Sequence, residues 1–181
     1  MSFLPLNALG DRIMVLGPSN AGKSTLAVAL GTQLKLPVVH LDQLQHLPNT
    51  NWDPRPEEDF FALHDAAIQE AHWIMDGNYS RLMPKRFERA TGVILLTSNH
   101  WLRLGRYLKR TLINPDARLG QLEGGQETLK WEMIDWILLK TPLNSRRYAR
   151  MVEAAGLPHV HCRSAQDLRA LYQAWALTRP S

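Results

Sequence analysis

The chain has 181 residues, 45% of them hydrophobic and 21% charged, which is ordinary composition for one domain with a sizeable core and argues against disorder. A net charge of +4 suits anionic partners without requiring nucleic acid. The single cysteine, Cys162, excludes an internal disulfide and a zinc site built from cysteines. No stretch approaches the ~20 apolar residues that span a bilayer. Residues 1–7 lack a basic segment followed by a long apolar one, so no signal peptide is expected. The expected location is the cytoplasm, without membrane association, as a monomer or homodimer.

In chain order, Arg12–Leu16 is a short apolar run that stops at Gly17 and predicts a buried strand. Residues 23–34, rich in Ala and Leu, predict a helix, and 37–41 a second strand. Residues 57–71 carry Phe60, Leu63, Ala67, Ile68 and Ala71 at helical spacing. Strands follow at 72–75 and 92–96, then a helix over 101–112. Residues 114–125, rich in Gly and Pro, suggest a loop or lid base. Helices are expected over 127–139, ended by Pro142, and over 145–155. A last strand spans 159–162, and Ser164 caps a final helix with Leu168, Leu171, Tyr172 and Trp175 as its buried stripe. Alternating strands and helices imply an α/β layered fold with a parallel sheet and ligands beyond the carboxyl ends of the strands.

Gly17-Pro18-Ser19-Asn20-Ala21-Gly22-Lys23-Ser24 fits G-x-x-x-x-G-K-[ST] between a strand and a helix, the context that motif requires. Its glycines let backbone amides turn toward phosphates, and the helix N-terminus adds partial positive charge. Lys23 is expected on the β- and γ-phosphates of ATP, Ser24 on Mg²⁺, and Thr25 near the α-phosphate. Asp76 closes the third strand and is expected to hold Mg²⁺ through water. Asp42 closes the second and is a candidate acceptor ligand, general base or metal aid. On the 101–112 helix, Arg103, Arg106 and Arg110 fall within about 60° of one another, opposite Trp101, Leu104, Leu108 and Leu112. Such guanidinium forks suit a transferring phosphoryl group. Arg81 is placed to reach an acceptor pocket, whereas Lys85 and Arg86 are expected at the surface. His40 and His161 alternate with apolar strand residues and are expected to be structural.

These landmarks resemble the adenylate-kinase-like group of P-loop small-molecule kinases, and more narrowly the adenylate kinase-related family of DNA topology modulation proteins. The resemblance rests on the 17–25 loop, His40-Leu-Asp42, Asn51-Trp-Asp-Pro54, Asp76-Gly-Asn-Tyr79, the arginine helix and Leu129-Lys-Trp-Glu132. It covers about Arg12 to Trp175. It implies a single P-loop kinase-like domain with a five-stranded parallel sheet in the order 2-3-1-4-5 and helices on both faces. It further implies an acceptor-binding insertion at 43–71 and a lid at 111–128. The acceptor, a nucleotide, nucleoside or other small molecule, would lie against Asp42, Trp52, Asp76, Asn78, Tyr79 and Arg81, with the turn at Arg163 and Ser164 beside the adenine. The chain departs from adenylate kinases proper, which carry Asp-Gly-Phe-Pro-Arg where it has Asp76-Gly-Asn-Tyr-Ser-Arg81. The expected activity is ATP·Mg²⁺-dependent phosphotransfer. The competing expectation is a nucleotide-dependent regulator with slow ATPase activity that contacts nucleic acid or a protein, drawn from the basic pI and from Arg146, Arg147 and Arg150.

Overall fold

The computed structural model describes residues 3–50, 52–97 and 141–180. After a 3-10 turn at Leu6–Leu9, β1 (Arg12–Leu16) leads through a glycine loop into α1 (Lys23–Leu34). Then come β2 (Val38–His40), α2 (Leu41–Gln45), α3 (Glu57–Gln69), β3 (Trp73–Asp76), α4 (Met83–Arg89) and β4 (Gly92–Leu96). The described chain closes with α5 (Thr141–Ala155), β5 (His159–Cys162) and α6 (Ala165–Ala174). The helices expected at 101–112 and 127–139, and the lid at 111–128, lie outside the described residues.

The five strands form one parallel sheet in the order β2-β3-β1-β4-β5, as expected. The apolar run of β1 follows from its place, since Ile13 to Leu16 are all fully buried between two neighbours and two helical layers. Alternation divides them. Ile13 and Val15 join Leu26, Leu30, Ile94 and Leu171 on the face covered by α1 and α6. Met14 and Leu16 join Trp73, Met75, Met83 and Val152 on the face covered by α3, α4 and α5.

Local chemistry sets the ends of the elements. Three acidic residues, Glu57, Glu58 and Asp59, open α3 where the helix dipole favours them. At α6 the Ser164 hydroxyl accepts from the Asp167 amide, and the Asp167 carboxylate accepts back from the Ser164 amide, a closed capping box. The stripe Leu168, Leu171, Tyr172 and Trp175 is buried as expected.

Three elements differ from the sequence expectation. The second strand ends at His40, and Leu41 opens α2, so Asp42 sits in a first helical turn rather than at a strand end. The turn places Leu41 against Gly77, where an added Cβ would stand 2.9 Å from the Leu41 Cβ. Helix α5 covers Thr141–Ala155, so it includes Pro142 and extends ahead of the expected 145–155. Helix α4 was not anticipated. It has seven residues, and its buried face includes Arg86, so no apolar period marks it.

Candidate active site

The glycine loop leaves β1 in a conformation that restricts its residues. Gly17 has φ +145°, and a Cβ there would lie 2.4 Å from the Leu96 carbonyl oxygen. Gly22 caps α1 at φ +96°, and Asn20 also takes a left-handed conformation at φ +62°. Pro18 and Ala21 are buried, while Ser19, Asn20 and Lys23 to Thr25 are half-exposed around the start of α1. The loop closes on itself through the Ala21 amide to the Pro18 carbonyl at 3.3 Å. The Lys23 ammonium donates to that same carbonyl at 3.2 Å. This puts the charged group over the loop, where an anion would meet it.

Asp76 lies beside this loop because of register. In the ladder, His40 pairs with Asp76 and Asp76 pairs with Val15, so three strands finish at one level. Cross-strand neighbours on one face approach closely, and His40 Nδ1 stands 3.1 Å from Asp76 Oδ2. Burial pushes the Asp76 carboxyl upward. The hydrogen bond with His40, the Lys23 charge and the hydrogen bond from Ser24 outweigh it, and its pKa falls below the ordinary carboxylate value. Its other oxygen, Oδ1, is buried and has no hydrogen-bond partner among the described residues. A buried oxygen without a partner, on an ionised carboxylate that feels Ser24 and Lys23 at the start of α1, is what a hydrated Mg²⁺ ion would satisfy. The residues present therefore fit the metal.

The loop after β3 joins this wall to a second one. The Asn78 carboxamide grips Gly17 at both ends, its Oδ1 accepting from the Gly17 amide at 3.1 Å and its Nδ2 donating to the Gly17 carbonyl at 2.9 Å. Tyr79, at φ +38°, donates its hydroxyl to Asp42 Oδ1 at 2.8 Å. Its ring packs on Phe60 of α3 with centroids 5.1 Å apart. Asp42 continues toward Trp52 through His46, whose Nδ1 stands 2.9 Å from the Asp42 carbonyl and whose ring meets Trp52 edge-on at 5.2 Å. Trp52 itself stands at φ +65°, near the end of a loop closed by the bridge between His46 and Pro54. Arg81 is exposed, pairs with Glu57 and lies 5.4 Å from the Phe61 ring centroid.

Among the candidates, the structure thus brings the 17–25 loop, Asp76 and Asn78 together on one side, and Asp42, Tyr79 and Trp52 on the other. Arg81 stands at the mouth of α3. After the edge strand β5, the amides of Arg163 and Ser164 both donate to Asp167 Oδ2, at 2.8 and 3.1 Å. The helix that this turn opens reaches the glycine loop, since Leu168 Cδ2 of α6 lies 3.6 Å from where a Gly22 Cβ would stand. Arg103, Arg106 and Arg110 lie outside the described residues.

Two residues go beyond the sequence expectation. His40 orients the buried carboxylate, a contact set by strand register that no spacing within the chain reveals. Arg86, expected at the surface, is fully buried. Its guanidinium donates to the carbonyls of Gly77 (2.8 Å), Asn78 and Tyr79 (3.2 Å). Burial lowers its pKa to about 10, opposed by the Tyr148 and Tyr79 side chains. A basic residue in a short helix reads as solvated, and only the packing of α4 beneath this loop turns it inward.

No protein-family model matches the chain, and no curated protein sequence matches it. Solved structures do. A candidate kinase of Chloroflexus aurantiacus is 20% identical, with a TM-score of 0.53, covering 89% of this chain and 94% of that one. Shikimate kinase of Bacteroides thetaiotaomicron is 16% identical (TM-score 0.52; 92% and 99% covered). Shikimate kinase of Acinetobacter baumannii, solved with shikimate, is 14% identical (TM-score 0.52; 94% and 96% covered). The chain has the fold of the P-loop kinases.

Proposed function

We propose that the chain transfers the γ-phosphoryl group of ATP to a hydroxyl of a small acceptor, as an adenylate-kinase-like relative of small-molecule kinases. The observation that carries this reading is the pairing of two carboxylates at one end of the sheet. Asp76, with one orphaned oxygen, feels Lys23 and Ser24 of the phosphate loop, and Asp42 is held by Tyr79. A nucleotide-binding loop alone accounts for the first and gives no reason for the second.

In this reading the loop amides and Lys23 hold the triphosphate, and the turn at Arg163 and Ser164 borders the base. Ser24, with Asp76 acting through water, would hold Mg²⁺, which offsets charge on the triphosphate. Asp42, oriented by the Tyr79 hydroxyl, accepts the proton of the acceptor hydroxyl. The acceptor oxygen bonds to the γ-phosphorus as the bond to the bridging oxygen breaks, and ADP leaves. Trp52 and Arg81 would border the acceptor, within the insertion at 43–71 or beside it, whereas Asn78, expected there too, spends both ends of its carboxamide on Gly17. Arg103, Arg106 and Arg110 would meet the transferring group, beneath a lid at 111–128. The test is ADP release across nucleosides, nucleotides, sugars and small hydroxy acids. Turnover with at least one acceptor well above the rate with water is expected, and hydrolysis alone across all of them contradicts phosphotransfer.

One observation favours a second reading, a nucleotide-dependent regulator that grips nucleic acid. Arg146, Arg147 and Arg150 of α5 line a hollow of about 420 Å³ with Met151 and Ala154. Binding to a nucleic acid phosphate backbone would fall steeply with salt, and a flat salt titration removes this reading.

A further inference from the structure

The buried guanidinium of Arg86 occupies an unusual environment. Its two terminal nitrogens donate to three successive backbone carbonyls, its Nε is buried without a partner, and no carboxylate pairs with it among the described residues. Burying such a charge is costly unless its hydrogen bonds are satisfied by groups held in place. Those groups belong to a stretch that would not hold its shape unaided. Gly77 stands at φ +135°, and Tyr79 at φ +38° is a bulky residue in the left-handed region. Carbonyls held on one fork fix the backbone dihedrals between them, and with them the points from which the intervening side chains leave the chain.

Those side chains build the site. Asn78 clamps the first residue of the phosphate loop at both its amide and its carbonyl. Tyr79 holds Asp42. Asp76 precedes the stretch directly. We infer that Arg86 is a positioning residue for the site, locking the 77–79 backbone so that Asn78 sets the phosphate loop and Tyr79 sets the acceptor carboxylate. The inference deepens the phosphotransfer reading and rests on it for the acceptor side only.

The test is a double-mutant cycle on the whole chain, read as affinity for a non-hydrolysable ATP analogue with Mg²⁺. Arg86→Lys keeps the charge and loses the fork. Asn78→Ala removes the clamp and leaves α4 intact. Each is expected to weaken binding on the order of tenfold, and the double variant no more than Arg86→Lys alone, because the arginine acts through the asparagine. Additive losses, or an unchanged affinity in folded Arg86→Lys, overturn the assignment.

Hydrogen exchange at the Gly17 amide of the free protein is the second measurement. Protection should drop about tenfold or more in either single variant, since the Asn78 oxygen covers that amide. Unchanged protection overturns the assignment even if the chain binds no nucleotide. If Arg86→Lys does not fold, Arg86→Gln, which keeps one donor without the charge, replaces it. If neither folds, the guanidinium serves the whole fold and the assignment fails. Neither readout involves an acceptor. A protein that passes both and transfers no phosphoryl group therefore sinks the phosphotransfer reading and leaves Arg86 in its role.

Discussion

Two loops leave neighbouring strands at the same end of the sheet, and they are held by different means. The first runs from β1 into α1 and, beyond the Asn78 clamp on its first residue, is shaped from within: glycines at its ends take conformations other residues avoid, and its own amides and Lys23 fold over the Pro18 carbonyl. The second runs from β3 into α4 and is shaped from beneath, by one guanidinium that gathers three carbonyls. A loop that shapes itself writes its requirements into a contiguous motif. A loop shaped by a distant side chain does not.

The largest expected effect sets the first loop apart. Lys23→Ala should weaken ATP binding on the order of 100-fold at an unchanged melting temperature, because the ammonium is the loop's one full charge. Calorimetric titration checks this, and near-native affinity would mean that amides alone carry the phosphates.

Next come the two loop glycines. Gly17→Ala drives a methyl into the Leu96 backbone carbonyl at φ +145° and should cost about 3 kcal/mol in urea denaturation. Gly77→Ala, at φ +135°, meets the Leu41 Cβ at 2.9 Å, a looser contact than the one at Gly17, and should cost about 2 kcal/mol. Equal losses would show that both loops are equally constrained by their own backbone.

Tyr79→Phe sharpens the contrast further. It should slow phosphotransfer about tenfold through a misplaced Asp42 and leave ATP affinity within about twofold of the parent. A parallel loss of ATP affinity would join the two walls through this residue as well.

The smallest expected effect is a pH dependence confined to the support of the second loop. His64 of α3 is fully buried, and burial lowers its pKa below 6.5, with Arg86 adding to the effect. Its neutral form is the folded one. The stability it contributes is therefore present above pH 6.5 and lost as pH falls through the lowered folded value. Melting temperature should drop between about pH 7 and 5, and His64→Leu should make that slope shallower. An identical slope in the variant assigns the titration elsewhere.

The same contrast explains what could be read from the chain. β1, α1, β4, β5 and the α6 stripe were legible because burial on two faces, helical spacing and a capping serine leave local marks, whereas the sheet order came from the family resemblance alone. The glycine loop was legible because its backbone angles admit few residues. Asp76 could be singled out by its place after an apolar run, but its partner His40 could not. That pair depends on β2 lying beside β3 with His40 level with Asp76. Asp42 was found as a carboxylate at the site and misassigned to a strand end, because the close approach of Leu41 to Gly77 bends the chain into α2 one residue early. Arg86 was missed for a related reason: a seven-residue helix offers less than two full turns of pattern, and its inward residue is charged.

The level finish of β2, β3 and β1 has a mechanical consequence. A ladder of parallel strands with helices on both faces resists bending, so His40, Asp76 and the start of the glycine loop form a stiff floor. The stretch from Leu41 to His72 lies outside that ladder, closed on itself by the bridge between His46 and Pro54 and tied to the second loop by the Tyr79 hydroxyl on Asp42. Of that stretch, α3 is packed on the sheet through Ile68, whereas residues 46–50 and 52–54 around the bridge are not buried, so their amides should exchange faster than those of the floor.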